Sequence, residues 1–151
     1  MQKLEMNEMD YGRLASAMRR VDFFAPLTVG QLEMVLPYVL YCRYRSGERV
    51  CKQGDRGDAF YVVRDGAVSV RVRSRLLLTR EVARLGAGEF FGETALLTDD
   101  PRNATVVCAA PTRLFVLLTT DFRYVFANNP QFAAKVRKIA ETRQFIAQHQ
   151  F

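Results

Sequence analysis

Between residues 38 and 118 the chain is divided into short runs of β-branched and aromatic residues, and glycines separate most of these runs. Such short runs with frequent turn residues are typical of an antiparallel sandwich or barrel. We therefore predict strands over residues 39–44, 49–52, 59–64, 68–73, 79–84, 105–108 and 113–118.

Helical patterns precede the predicted strands. Residues 11–21 carry an apolar stripe at helical spacing, which predicts a first helix. Thr28 and Gln31 have the spacing of a capping box, so a second short helix is expected from Thr28 to about residue 36.

Helical patterns return after residue 118. A short helix is expected over residues 122–127, capped by Thr120 or Asp121, and Pro130 at a first helical position with Asn129 as N-cap predicts a last helix. Apolar residues of this helix share one face with an arginine: Phe132, Val136, Ile139, Arg143 and Ile146. We expect one domain, with a helical segment over residues 1–37, a barrel over 38–119 and C-terminal helices over 120–151.

Composition excludes several classes of function. No apolar run approaches the roughly 20 residues of a membrane span, so we expect no membrane segment in this chain. His149 is the only histidine, which argues against a zinc site or histidine-based catalysis and leads us to expect no enzyme and no cofactor. Cys42, Cys51 and Cys108 are widely spaced within strand-like runs, which indicates buried reduced thiols and a cytoplasmic protein.

The net charge of +6 raises the question of an anionic partner. The basic residues are dispersed along the chain, and the densest group (Arg71, Arg73 and Arg75) alternates with other residues along one predicted strand. We interpret this group as a solvated strand face. No helix-turn-helix follows the last helix, so a specific nucleic-acid partner is not expected.

The stretch from residue 90 to 105 contains the side chains with the most specific chemistry. Gly92 opens a short helix, where a ligand can approach backbone N–H groups. Arg102 can bind a phosphate with two parallel hydrogen bonds, and Glu93 can accept hydrogen bonds from a neighbouring sugar. The structural alternatives are that Glu93 caps its helix and that Arg102 forms a surface pair with Asp99 or Asp100.

This stretch resembles the phosphate-binding cassette of the cyclic-nucleotide-binding domain family. The matching elements are Phe91-Gly92-Glu93, Ala95-Leu96, Pro101-Arg102 and Ala104. Within this family the chain resembles the cytoplasmic domain of bacterial cyclic-nucleotide-gated potassium channels, through Gly57-Asp58, Val62-Val63, Gly66 and Val68-Ser69-Val70. The resemblance implies a double-stranded β-helix, or jelly-roll-like barrel, with the cassette at residues 91–105.

The resemblance also implies a role for each matching residue. Gly92, with the N–H groups of Thr94 and Ala95, would face the cyclic phosphate, while Glu93 would hold the ribose 2′-hydroxyl. Arg102 would neutralise the phosphate, and Asn103 and Ala104 would add N–H donors. Val70 would line the base pocket, with plain core packing as the alternative. Arg143 would stack on the purine, with extension of its side chain to water as the alternative.

The function implied is allosteric: capture of a cyclic nucleotide would close the last helix as a lid. Cyclic-GMP-binding members often carry Ser or Thr after the cassette arginine, and Asn103 here favours cyclic AMP while leaving a cyclic GMP sensor as the alternative. A degenerate domain that serves as a protein-interaction scaffold is the other alternative. The regulated effector, a further domain or a partner protein, is unknown from the sequence.

Overall fold

The computed structural model describes residues 1–21 and 24–147, with the backbone alone for Ala140 and for residues 142–147. Within these residues the chain forms nine strands, five α-helices and one 3-10 turn at Leu36–Tyr38. The strands are β1 (Gln2–Leu4), β2 (Leu40–Tyr44), β3 (Arg49–Cys51), β4 (Ala59–Asp65), β5 (Ala67–Arg73), β6 (Thr79–Gly86), β7 (Phe90–Phe91), β8 (Thr105–Cys108) and β9 (Thr112–Leu118). The helices are α1 (Glu8–Arg20), α2 (Val29–Val35), α3 (Thr94–Leu97), α4 (Thr119–Asn128) and α5 (Pro130–Ala147).

The strands form two antiparallel sheets, in the orders β1-β2-β9-β4-β7 and β3-β8-β5-β6. The prediction of a mainly β, jelly-roll-like fold with flanking helices is confirmed. Each of the seven predicted strands is present, with ends that differ from the prediction by at most two residues. Strands β1 and β7 were not predicted, because each is only two or three residues long and is defined by its pairing with β2 or β4.

Two hydrophobic cores share the wall made by β4 and β9. Successive side chains of a strand point to opposite faces. Phe60 and Val62 of β4 therefore pack with the helices, whereas Tyr61 and Val63 pack between the two sheets. The residues of β9 divide in the same way, with Phe115 and Leu117 in the helical core and with Leu114 and Val116 in the barrel core.

An arginine near the end of β4 faces the first helix, next to a bulge in the strand pairing. The pairing of β4 with β9 skips Arg64, since Val63 pairs with Leu114 and Asp65 with Arg113. Arg64 follows the alternation of Phe60 and Val62 and so lies on the face toward the helices. Here the Nε atom of Arg64 donates to Asp10 of α1 over 3.1 Å, and Arg113 forms an ion pair with Asp65 on the neighbouring strand.

The helix termini follow local capping chemistry. The predicted capping box of α2 is confirmed, with Thr28 and Gln31 exchanging backbone–side-chain hydrogen bonds of 2.9 and 3.1 Å. Helix α1 begins three residues before the predicted position because Asn7 and Asp10 form a second capping box. The predicted caps of α4 are wrong: the helix begins at Thr119 and its N-cap, Leu118, makes no side-chain bond. Helix α5 begins at Pro130 as predicted.

The apolar stripe of α5 is covered by the helical core. Phe132, Val136 and Ile139 are buried there, and the Phe132 ring meets Phe122 of α4 edge-on at 5.8 Å. The side chains of Arg143 and Ile146, predicted on the same stripe, lie outside the described residues. In this structure α5 therefore packs away from the barrel core.

The three cysteines are free thiols, as predicted, although Cys51 is only partly buried. Burial raises the pKa of Cys42, Cys51 and Cys108, which keeps these thiols protonated near neutral pH. A search of the described helices found none with the length and apolarity that crossing a membrane requires.

Candidate functional site

The chain turns sharply at Gly92, between β7 and α3. Gly92 has φ of +79°, a conformation that side chains with a Cβ rarely adopt. A Cβ atom there would lie 2.5 Å from Nη1 of Arg102 and 3.0 Å from the Ala59 carbonyl oxygen. The glycine is therefore required both by the backbone and by the close approach of the arginine.

Arg102 is buried with an incomplete set of acceptors. Its side chain is 7% exposed, and Nη2 donates to the Ala59 carbonyl over 2.6 Å. Among the described residues the one carboxylate in contact with it is that of Asp58, which is 3.4 Å away and itself 78% exposed. The Nε atom of Arg102 is buried and has no partner among the described residues. Because an unsatisfied buried cationic donor is costly, this arginine is poised to accept an anion.

The loop before β4 holds Arg102 in place. The Arg102 N–H donates to the Asp55 carbonyl over 2.6 Å, and the Gly54 N–H donates to the Arg102 carbonyl over 2.7 Å. Asp55 and Asp58 were not among the predicted site residues, so their role was missed. The only local signal was Gly57, whose added Cβ would lie 2.9 Å from the Ala95 Cβ.

Aromatic rings form one wall beside the arginine. The Tyr61 and Phe91 rings stack at 4.8 Å, and the Arg102 guanidinium lies over the Tyr61 ring at 5.7 Å. Burial raises the pKa of Tyr61, so its hydroxyl stays neutral. These rings give the guanidinium a polarisable contact without consuming its hydrogen-bond donors.

Seven of the nine residues predicted for the site line one cavity. These are Val70, Gly92, Thr94, Ala95, Arg102, Asn103 and Ala104, together with Cys51, Gly57, Phe91, Asp100, Pro101 and Val106, which were not predicted. The cavity has a volume of about 20 Å³, enough for little more than one water molecule. A larger ligand therefore requires the lining side chains to move.

Glu93 does not line this cavity. Glu93 is buried and faces an adjacent cleft with Phe90, Phe91 and Arg20. It makes no capping bond to α3, so the alternative in which Glu93 caps its helix is wrong. The side chain of Arg143 lies outside the described residues.

The alternative surface pairing of Arg102 is also wrong, because Asp99 pairs with Arg56 and Arg123 instead. No group of three or more His, Cys, Asp or Glu side chains in residues 1–21 and 24–147 is arranged to hold a metal ion. The geometry therefore describes a small cavity lined by one buried arginine and by the backbone around Gly92, with no cluster of metal-ligating side chains among the described residues.

Thr119, the first residue of α4, connects the site to the C-terminal helices. Its N–H donates to the Asp58 carbonyl over 2.9 Å, and its hydroxyl contacts the Ala95 carbonyl at 3.4 Å. Leu96 of α3 packs in the same core as Phe122 of α4. A shift of α3 or of the Asp58 loop would therefore act directly on Thr119, at the start of α4.

Residues 41–129 match the family model of the cyclic nucleotide-binding domain. The match covers more than half of the chain, so the chain belongs to the cyclic nucleotide-binding domain family. This family is a ligand-binding regulatory domain that recurs in larger proteins.

Relatives with established names fall into two groups. The chain is 35% identical over 99 residues to a cyclic nucleotide-gated potassium channel of Rhizobium etli, covering 66% of this chain and 26% of the channel. It is 30% identical over 108 residues to a cGMP-dependent protein kinase of Eimeria tenella, covering 72% of this chain and 10% of the kinase. The chain thus spans a third or less of these relatives.

Solved structures share the fold. The N-terminal domain of a transcriptional regulator from Streptomyces coelicolor superposes with a TM-score of 0.76 at 25% identity, covering 88% of this chain and 93% of that domain. The regulatory domain of Toxoplasma gondii PKA, crystallised with cAMP, gives a TM-score of 0.74 at 26% identity over 80% of this chain and 46% of that one. A cyclic nucleotide-binding domain from Methylobacillus flagellatus shares the fold at 21% identity, with a TM-score of 0.77 over 97% of this chain and 82% of that chain.

Proposed function

We propose that this chain is a non-catalytic regulatory domain that binds cyclic AMP in the Arg102 cavity. The observation that carries the proposal is the buried guanidinium of Arg102, which has one short hydrogen bond, one long contact to an exposed carboxylate and an unpartnered Nε. A cyclic phosphate supplies the acceptors that this guanidinium lacks. Two parallel hydrogen bonds from arginine to phosphate are a strong and geometrically specific pairing.

Binding in this scheme begins with an exchange of partners at Arg102. The cavity is too small for a nucleotide while the guanidinium is held by Ala59 and Asp58. The phosphate competes well with Asp58 because that carboxylate is exposed and its contact is long. Arg102 then turns toward the ligand and opens the space beside Gly92.

The remaining cavity residues surround the ligand. Gly92 allows the phosphate to approach the backbone, and the N–H groups of Thr94, Asn103 and Ala104 add donors. The N–H of Ala95 donates to the Gly92 carbonyl over 3.2 Å in this structure, so its use for the phosphate requires that bond to yield. Val70 offers an apolar contact for the base.

Glu93 has a separate part in the proposal. It is buried next to the cavity, at the junction of β7 and α3. Its carboxylate accepts a hydrogen bond from the ribose 2′-hydroxyl once the segment from Gly92 to Ala95 adjusts to the ligand. A cyclic nucleotide that lacks this hydroxyl should therefore bind less tightly.

Cyclic AMP is favoured over cyclic GMP by Asn103 in the position where cyclic-GMP-binding members often carry Ser or Thr. The cAMP-bound Toxoplasma gondii domain supports the same choice. Cyclic GMP is the second candidate, because the kinases among the relatives are named for it.

Ligand capture is coupled to the C-terminal helices through Thr119. Movement of Asp58 and α3 reaches α4 through the two Thr119 bonds, and α4 packs on α5 through Phe122 and Phe132. In the liganded state α5 leaves part of this packing and closes over the base as a lid, where Arg143 stacks on the purine. The break at Asn129 and Pro130 serves as the hinge.

The proposed setting is a cytoplasmic protein in which this domain regulates an effector. The channels and kinases among the relatives carry their further parts outside the matched region. The effector of this chain is an attached domain or a separate partner protein.

Titration calorimetry with cyclic AMP, cyclic GMP and 2′-deoxy cyclic AMP tests the proposal. Arg102→Ala should weaken cyclic AMP binding by about 1.5–3 kcal/mol, or 10- to 150-fold, because a hydrogen-bonded charge is lost. Arg123→Ala, which removes an exposed arginine paired with Asp99, is the matched control and should bind normally. Equal affinity of the Arg102→Ala and unaltered proteins would refute the site.

Hydrogen exchange with and without cyclic AMP tests the coupling separately. We expect new protection at residues 92–105 and altered protection in α4 and α5. Arg143→Ala should reduce affinity less than Arg102→Ala, because stacking contributes less than pairing a buried phosphate. Protection confined to residues 92–105 would mean that ligand binds without moving the helices.

A further inference from the structure

The hairpin that joins β5 and β6 ends in three adjacent exposed leucines. Leu76, Leu77 and Leu78 are 81%, 68% and 68% exposed. The hairpin lies at the edge of the four-stranded sheet, since β6 pairs only with β5 within the described residues. Single exposed leucines are ordinary on protein surfaces, but three consecutive ones at a tip form an apolar patch that calls for an explanation.

The leucine tip is held in a fixed shape. The Ser74 N–H donates to the Leu78 carbonyl over 2.8 Å, and the Leu77 N–H donates to the Ser74 carbonyl over 2.9 Å. Leu77 has φ of +63°, a left-handed conformation that is unfavourable for a bulky residue. Such strain persists where the surrounding structure imposes it and is concentrated at functional positions.

A basic groove leads to this tip along the outer face of the sheet. Arg49, Lys52, Arg71 and Arg73 line it together with Leu77, and no acidic side chain does. Gln53 fixes the groove by exchanging two hydrogen bonds with the Arg73 backbone, of 2.7 and 3.2 Å.

Among the described residues these cations form no salt bridge, although Arg71 lies directly opposite Glu81 on β6 and interacts with it electrostatically. In the part of the chain that the structure describes, Arg75 and Arg80 beside the tip form no salt bridge either. The salt-bridge partner of Glu81 is Arg84. The groove and tip therefore combine positive charge with exposed apolar surface.

We propose that this hairpin docks the domain on a bilayer that contains anionic phospholipids. A bilayer surface offers a layer of phosphates above hydrocarbon, which matches arginines around a leucine tip. Nucleic acid offers phosphates but no apolar layer for the leucines. A protein partner would need acidic groups for the arginines together with an apolar pocket for the leucines. An anionic membrane surface provides both the negative charge and the apolar layer. This inference does not depend on the cyclic nucleotide site, which lies on the inner side of β5.

Co-sedimentation of the full chain with vesicles tests the proposal. The protein should bind vesicles of phosphatidylcholine mixed with phosphatidylglycerol and should not bind phosphatidylcholine alone. Replacing two arginines (Arg71→Gln with Arg73→Gln) should weaken binding about 30-fold, because each basic residue near an anionic surface contributes about 1 kcal/mol. Replacing two leucines (Leu76→Ser with Leu78→Ser) should weaken it at least about tenfold, because the apolar insertion is lost.

Matched controls keep the test specific. Val29→Ser removes an exposed apolar side chain on α2, and Arg13→Gln removes an exposed arginine on α1. Both variants should bind vesicles normally. Cyclic AMP affinity of the hairpin variants, measured by calorimetry, should equal that of the unaltered protein, which separates this proposal from the proposed function.

Three outcomes would overturn membrane docking. The first is the absence of binding to anionic vesicles. The second is binding that falls with the arginine variant but not with the leucine variant, which is nonspecific attraction of anions. The third is self-association that depends on the leucines without vesicle binding, which would assign the tip to a second copy of the chain.

Discussion

An arginine side chain lies at each end of strand β4, and the two guanidinium groups have opposite surroundings. Arg64, at the C-terminal end, is 10% exposed and contacts Asp10, which is 6% exposed. Arg102 reaches the N-terminal end of the strand from the cassette, is 7% exposed, and contacts a carboxylate that is 78% exposed. A charge that is paired with a buried countercharge has a structural role. A buried guanidinium whose hydrogen-bond donors lack acceptors can instead bind a ligand.

The first test of this comparison removes Asp10, the carboxylate that pairs with Arg64. Asp10→Ala should lower the free energy of unfolding by about 3 kcal/mol, because Arg64 is left with only its longer contact to Asp65, at 3.9 Å. Urea denaturation followed by circular dichroism measures the change.

The capping role of Asp10 needs its own control. Asn7→Ala removes the cap of α1 but leaves the Asp10–Arg64 pair, and should cost about 1 kcal/mol. Equal losses in the two variants would show that the ion pair contributes nothing beyond the cap.

The second test removes the guanidinium of Arg102, which has no buried countercharge. Arg102→Met replaces the guanidinium with an apolar side chain of similar length and should leave the free energy of unfolding without ligand within about 1 kcal/mol, because an unsatisfied donor is removed. Arg64→Met is the matched variant and should clearly lower the free energy of unfolding, because Asp10 loses its ion-pair partner. The thermal stabilisation that cyclic AMP gives the unaltered protein should disappear in Arg102→Met alone. A large loss of stability in Arg102→Met would show that Arg102 is structural.

The third and smallest effect is the response of the Arg64 end of strand β4 to acid. Burial raises the pKa of Asp10, but the Asn7 N–H and Arg64 outweigh burial and leave the pKa below its usual value. The hydrogen bond from Arg113 likewise lowers the pKa of Asp65. Carboxyl groups with a lowered folded-state pKa stabilise the protein above their unfolded pKa of about 4 and lose that contribution as the pH falls through the folded value.

The free energy of unfolding should therefore decline below about pH 4, and less steeply in Asp10→Asn with Asp65→Asn. Urea titrations at a series of pH values measure the slope. Three other carboxylates with a lowered pKa contribute to the slope that remains: Glu48, Glu81 and Asp99. If the free energy of unfolding depends on pH in the same way in the double variant, the two ion pairs do not contribute to the loss of stability in acid.

Local signals in the sequence predicted most of the fold. Glycine-separated β-branched runs located seven strands, and the Thr28–Gln31 spacing located a helix start. Strand β1 escaped because Gln2–Leu4 is a strand only through its pairing with residues about forty positions away. The start of α1 was missed because Asn7 and Asp10 were not recognised as a capping box, although the spacing was visible.

The candidate site was predictable where a compact motif carries it, and less so elsewhere. Gly92, Arg102 and their neighbours occur in one short segment, and seven of the nine residues predicted do share a cavity. The bracing loop around Asp55 and Asp58 could not be found, because its contacts with Arg102 join residues more than forty positions apart. The position of Glu93 outside the cavity follows from the turn at Gly92, and a glycine permits such a turn without specifying where the next side chain will lie.

Because β4 and β9 form the wall between the two hydrophobic cores, the number of residues in these strands is restricted. Insertion or deletion of one residue within β4 would exchange the side chains that face the helices with those that face the barrel. Phe60 would then enter the barrel core, and Tyr61 would leave Phe91 and Arg102 for the helices. We expect length changes to be tolerated at the hairpin tip and not in β4, so that natural variation in length should be concentrated in the loops around this wall.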